Sequence, residues 1–184
     1  MSTNIKIVQQ LSRFFFASNA VEMMTSYGEL ATILPAPPVD DWSAVEFSFN
    51  RLFVGPRALL APPYASVYLD GDSTRLMSES TMKVRQLYEL VGLVSPWVNK
   101  IPDDHIALEL DALWQIEAAL EKMDSPQLQD IHEYLLTRLQ TWVPLFCSRI
   151  RCVEDVHPAL IHVAGILQSA VSNPLAITAD AHAV

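Results

Sequence analysis

The chain has 184 residues, of which 51% are hydrophobic, and a formal net charge of -9 at pH 7. That length and composition suit one domain with a real core, with two small lobes sharing the core as the alternative. The acidic balance excludes a nucleic-acid binder, which needs clustered lysine and arginine, and it matches a basic peptide.

Glycine is scarce, with five residues in the chain, and apolar residues recur at three and four rather than at two, which predicts an all-α fold. Met1 to Gln10 carries one lysine among repeated polar residues and does not read as a secretory signal. Ile5, Val8, Leu11 and Phe15 make the apolar face of a first helix. A second is expected from about Val21 to Leu34. Pro35-Ala36-Pro37-Pro38 stops it as a stiff linker, so residues 1–38 read as amino-terminal helices and linker. Asp41 is placed to cap a third helix, with Trp42, Val45, Phe49, Leu52 and Phe53 on one side, ending at Gly55-Pro56.

From Leu52 to Asp70 an apolar run is interrupted by Gly55, Pro56, Pro62 and Pro63. Proline fixes φ and deletes an amide donor, so this segment is expected to be a shaped, non-regular surface. After a turn at Asp70-Gly71-Asp72-Ser73, a helix from about Ser80 uses Val84, Leu87, Tyr88 and Val91 and stops near Gly92, followed by a loop over 93–102. Asp103 or Asp104 is expected to cap the next helix, with Leu113, Ile116, Leu120 and Met123 inward and Asp104, Asp111, Gln115 and Lys122 on a wetter side.

Ser125-Pro126 opens a long helix with Leu128, Ile131, Leu135, Leu139, Trp142, Phe146 and Ile150, in which Pro144 predicts a kink or a split. His157-Pro158 opens a last helix to about Ser172, and residues 173–184 are expected to form a flexible tail. Cys147 and Cys152 are too few for a secreted disulfide framework and read as buried thiols in a reducing compartment. With His157 and His162 they recur every five residues. Such steps rotate a helical ligand by about 140°, so the four do not converge on a zinc without a break. Pro158 supplies one, but the spacing matches no common zinc pattern, and no metal is expected.

No apolar run reaches the roughly 18 to 20 residues of a spanning helix, so a cytoplasmic protein without stable membrane insertion is expected. From the residues alone, the 54–70 loop has two readings. It is a stiffened connection whose Tyr64, Val67, Tyr68 and Leu69 plug the core, or a rigid aromatic groove that receives an apolar peptide without an ordering cost. Pro102-Asp103-Asp104-His105 is likewise an ordinary helix start or a site. As a site, Asp104 would accept a bidentate pair from a peptide arginine. His105 lies four residues before Glu109, whose carboxylate would orient its ring or favour its charge. Peptide binding would then weaken in acid, over roughly pH 8 to 5.5. A hydrolase would use Asp104 and His105 as an acid-base pair with Ser66 or Ser78 as nucleophile. No nucleophile elbow, phosphate-cradling glycine loop or metal-ligand helix pattern accompanies them, and the chain is not expected to be an enzyme.

Three stretches stand in a recognisable order and spacing: Leu52-Phe53-Val54-Gly55-Pro56, then Ala61-Pro62-Pro63-Tyr64, then Ser66-Val67-Tyr68-Leu69-Asp70. With Pro102-Asp103-Asp104-His105 they resemble the TorD/DmsD-type redox-enzyme maturation chaperones, related to the nitrate reductase delta-subunit assembly factors. The likeness runs from about Trp42 to Gln168 and is densest at 52–70 and 102–110. Phe49 and Tyr64 stand where relatives often place tryptophan, Arg57 where an aromatic is found, and Ser78 about where glycine is common. Ile101 replaces the glutamate of a Glu-Pro-x-Asp-His pattern.

The resemblance implies a single-domain, TorD-like all-α bundle over residues 1–184 with a long proline-rich loop. It implies a cytoplasmic chaperone that binds the precursor of a molybdopterin-containing oxidoreductase through its twin-arginine signal peptide, assisting cofactor insertion and proofreading before export. The implied peptide site is Phe49, Pro63, Tyr64, Tyr68, Ser78, Pro102, Asp104 and His105. The implied partners are the client's catalytic subunit and its signal peptide, with transient contact to export machinery, and the chaperone is a monomer or a dimer. The molybdopterin cofactor belongs to the client, and the chaperone itself needs none. The substitutions at 49, 57 and 64 and the missing glutamate leave a second reading, a same-fold chaperone or adaptor whose client lacks a twin-arginine signal. The small hydrolase is the third.

Overall fold

In a computed structural model of the chain, the structure describes residues 2–69 and 101–172. Within them lie seven helices: α1 (Thr3–Phe16), α2 (Ala20–Ala31), α3 (Trp42–Phe53), α4 (Ser66–Leu69), α5 (Ile106–Leu120), α6 (Pro126–Cys152) and α7 (Pro158–Ser172). No strand occurs among the described residues; an isolated antiparallel bridge joins Tyr64 to His105.

Local chemistry sets most helix starts. Side-chain oxygens of Ser2, Asn19, Asp41 and Ser125 accept from the otherwise orphaned amides of Ile5, Glu22, Ser43 with Ala44, and Leu128. Glu22 reaches back to accept from the Ser18 amide at 2.7 Å, a reciprocal cap one residue ahead of the usual box. α2 stops at Ala31 rather than near Leu34, although Ile33 and Leu34 still donate to the Leu30 carbonyl before Pro35 ends the run. α3 ends as its C-terminal amides turn over Gly55, whose φ of +102° is a conformation an L side chain rarely adopts.

α1 threads the centre of the bundle and packs most extensively on α5, and Ser12 Oγ donates to the Ala107 carbonyl at 2.9 Å. Ile7, Val8, Leu11 and Phe14 are fully buried, as the three-four spacing requires. One apolar cluster joins these to Phe49 and Leu52 of α3, Leu110 and Leu113 of α5, Trp142 and Phe146 of α6, and Leu160 and Leu167 of α7.

Several expectations need correcting. α6 runs unbroken through Pro144, so the missing amide is tolerated within a helix whose inner face is packed on both sides of it. Met123 lies beyond α5 and is 55% exposed. Cys152 is exposed, and Cys147 is buried with its thiol on the Ala164 carbonyl. Burial pushes the Cys147 thiol up to about 12, keeping it protonated. The predicted helix from Ser80, the loop at 93–100 and the tail at 173–184 lie outside the described residues.

Candidate peptide-binding site

The proline-rich segment is held by its own backbone. After the Gly55 turn, the Ala61 amide donates to the Leu52 carbonyl at 3.1 Å, and Arg149 Nε of α6 donates to the Leu60 carbonyl at 2.7 Å. Pro62 and Pro63 have no amide to satisfy, but their carbonyls remain. Pro62 accepts from the Tyr68 hydroxyl at 2.9 Å, and Pro63 accepts from the Ile106 amide at 2.8 Å. The second of these serves one of the orphan donors at the start of α5.

Two segments far apart in sequence are thus stitched together. The Ala65 amide donates to the Asp104 carbonyl at 3.0 Å, and the Ser66 amide donates to Asp104 Oδ2 at 2.9 Å. Pro63, Tyr64, Tyr68, Pro102, Asp104 and His105 share this one neighbourhood, whereas Ser78 lies outside the described residues. Asp104 is fully buried and its Oδ1 has no hydrogen-bond partner. Phe49 is also enclosed, edge-on to Phe14 at 6.0 Å and Phe53 at 4.9 Å between ring centroids. Neither side chain presents a surface to solvent in this conformation. Pro102, Tyr64, Tyr68 and His105 are half-buried.

His105, not Asp103 or Asp104, caps α5: its Nδ1 accepts from the Ala107 amide at 3.1 Å. The ring stacks on Phe16 and meets Tyr64 edge-on at 5.2 Å. Desolvation among these rings drops its pKa to about 4, so the imidazole is neutral at physiological pH. With Nδ1 occupied, only the Nε2 side is left for another group. The acid weakening expected of this ring between pH 8 and 5.5 therefore moves well below that window.

Glu109 does not orient His105. It is fully buried, where Oε1 accepts from Arg138 Nε at 2.9 Å and Oε2 from Trp142 Nε1 at 3.0 Å. Burial raises this carboxyl to about 7 against the opposing pull of Arg138 and Trp142. Trp142 in turn stacks on Tyr68 at 5.7 Å with 21° between the planes. The carboxylate thus supports the floor beneath the aromatic segment. Two sequence signals pointed to it: a charged residue inside the apolar run Ile106 to Leu110, and Arg138 and Trp142 four apart on one face of α6. Burial and the Asp104 charge raise the Tyr64 phenol, and burial raises that of Tyr68.

The family model described as "Nitrate reductase delta subunit" matches residues 18–148, which take in both stitched segments and the Glu109 anchor. The chain belongs to that family. Curated proteins similar to this family member include the "Tat proofreading chaperone DmsD" of Salmonella typhi, 34% identical over 100 residues, covering 54% of this chain and 45% of the relative. The "Chaperone protein TorD" of Aliivibrio salmonicida is 31% identical over 140 residues, covering 70% of this chain and 63% of the relative. The matches thus span from under half to just under two thirds of those relatives' lengths. A crystal structure of a redox enzyme maturation protein from Archaeoglobus fulgidus superposes with a TM-score of 0.62 at 16% identity, covering 90% of this chain and 91% of that one. That likeness concerns the fold. No helix among the described residues is long and apolar enough to cross a membrane, and no cluster of three or more metal-ligating side chains occurs among them.

Proposed function

We propose that this delta-subunit family member is a cytoplasmic, non-enzymatic chaperone that binds the precursor of a molybdopterin-containing oxidoreductase and holds it until its cofactor is inserted. The observation that carries this reading is the stitch between the two recognisable segments. Backbone bonds join Ala65 to Asp104 and Ile106 to Pro63, and the Ser66 amide donates to the Asp104 carboxylate, which pre-shapes a surface of Tyr64, Tyr68, Pro102 and His105. A surface whose backbone is already ordered loses little entropy when an apolar leader docks. The relatives' names as chaperones support the same class. The hydrolase reading is disfavoured with Ser66 as nucleophile: Ser66 is 2% exposed, Asp104 is fully buried with Oδ2 on the Ser66 amide, and His105 Nδ1 accepts from the Ala107 amide, while Ser78 lies outside the described residues.

Within this reading the client is recognised through its twin-arginine signal peptide, its apolar stretch lying on the aromatic surface. One observation favours the alternative of a client without such a signal: Asp104, the carboxylate suited to arginine, is fully buried. The two are separated by capturing partners with the tagged chain from anaerobically grown cells and identifying them by mass spectrometry. The expected partner is a molybdopterin oxidoreductase catalytic subunit with an Arg-Arg leader, whose capture falls by about tenfold when both arginines become glutamine, as expected when an acidic chain loses the opposite charges. Capture that survives the double glutamine change establishes the leaderless alternative. Eluates without any molybdopterin oxidoreductase overturn the chaperone reading.

A further inference from the structure

On the outer face of α3 and the first part of the proline-rich segment lies a groove of roughly 640 Å³, lined among others by Phe47, Arg51, Gly55, Arg57, Ala58 and Leu60. Its walls hold large apolar groups in water: Phe47 is 71% and Leu60 38% exposed, and Val54 beside the turn is 63% exposed. Removing such side chains from water is favourable, and grouped exposure of this kind marks an interaction surface.

The charge lining the groove has one sign. Arg51 is fixed by Nη2, which donates to the neutral carbonyls of Glu154 and Asp155. Arg57 is exposed, and neither hydrogen bond nor ion pair engages it among the described residues. No acidic side chain stands among the described residues that line the groove. In a chain of net charge -9, an apolar groove whose described lining holds two guanidiniums and no carboxylate disfavours an arginine-bearing leader and attracts the opposite sign.

We infer that this groove is a second docking site for the client polypeptide, taking a segment that pairs apolar anchors with carboxylates. Phe47 and Leu60 receive the anchors, and the Arg57 guanidinium receives a carboxylate in a bidentate pair. The Gly55 turn sets the distance between them. The inference rests on the chaperone reading for the identity of the partner, though not for the chemistry of the groove.

The test uses a fluorescein-labelled peptide of leucine, phenylalanine and glutamate and its counterpart with lysine in place of glutamate, read by fluorescence anisotropy against the full chain. The acidic peptide is expected to bind and the basic one not. Arg57→Glu weakens the acidic peptide about tenfold and turns the preference toward the basic one, while Phe47→Ser weakens binding without changing the charge preference. Both residues are exposed, and circular dichroism verifies that the variants fold. Equal affinity for the two peptides, or full affinity in both variants, overturns the inference. So does Arg57-dependent binding of anionic phospholipid vesicles without binding of the acidic peptide. If wild type and Arg57→Glu capture a molybdoenzyme equally, the groove inference fails and the chaperone reading stands. If no molybdoenzyme is captured yet the acidic peptide binds through Arg57, the reverse holds.

Discussion

At Asp104 a carboxylate that looks suited to a partner's arginine is instead buried and spent on the Ser66 amide of its own chain. Its role is that of a latch, which gives the two oxygens' isostere a different fate from truncation. Asp104→Ala strands a buried amide donor and is expected to cost about 1 to 3 kcal/mol, lowering the chemical-denaturation midpoint, and leader affinity falls with it. Asp104→Asn keeps an oxygen in place and is expected to retain both. An Asn variant that is stable yet no longer binds leader would show that the peptide reads the charge itself. His105 carries the pH dependence. Its pKa of about 4 in the fold lies below the ordinary 6.5, so between those values the unfolded chain holds a proton that the folded ring refuses. The stability it contributes is complete above pH 6.5 and is lost as pH falls toward 4. The gap in unfolding free energy between wild type and His105→Asn is therefore expected to narrow on acidification over that window. A gap that stays constant would mean that the ring titrates as if exposed.

Among the elements, the short α4 and the starts of α3 and α5 were differently legible. Asp41 as the cap of α3 and Ser125-Pro126 as the start of α6 follow from rules that act within one turn. At α5 three polar residues compete for the cap, and the Pro63 and Ala65 contacts decide among them by turning Asp104 inward. α4 could not be read because its four residues are too short to nucleate alone; it rests on the Asp104 latch and on the stack of Tyr68 against Trp142. The end of α3 offers a test at this scale. Gly55 has φ +102°, and an added Cβ would stand 3.3 Å from the Arg57 carbonyl. Gly55→Ala is expected to destabilise by more than about 1 kcal/mol, a fall of roughly 2 to 4 °C in Tm, and to weaken the acidic peptide by displacing Arg57. Thermal melts without any shift would mean that the turn relaxes freely.

For the whole molecule, the net charge of -9 acts beyond any single contact. A basic leader is steered by this field, so the capture described above is expected to weaken as salt rises and the Debye length contracts from about 10 Å at 0.1 M. Capture indifferent to salt would assign recognition to apolar contact alone. By itself the sequence determined the helical class, most helix starts, the rigid proline turn and the family blocks, because periodicity, capping and proline's fixed φ are local properties. Only the tertiary structure decided that Asp104, Phe49 and Glu109 are enclosed, that His105 caps α5, and that α6 crosses Pro144 without a break. Those outcomes depend on neighbours dozens of residues away, and burial, which sets both pKa and access, is a sum over such neighbours that no local pattern contains.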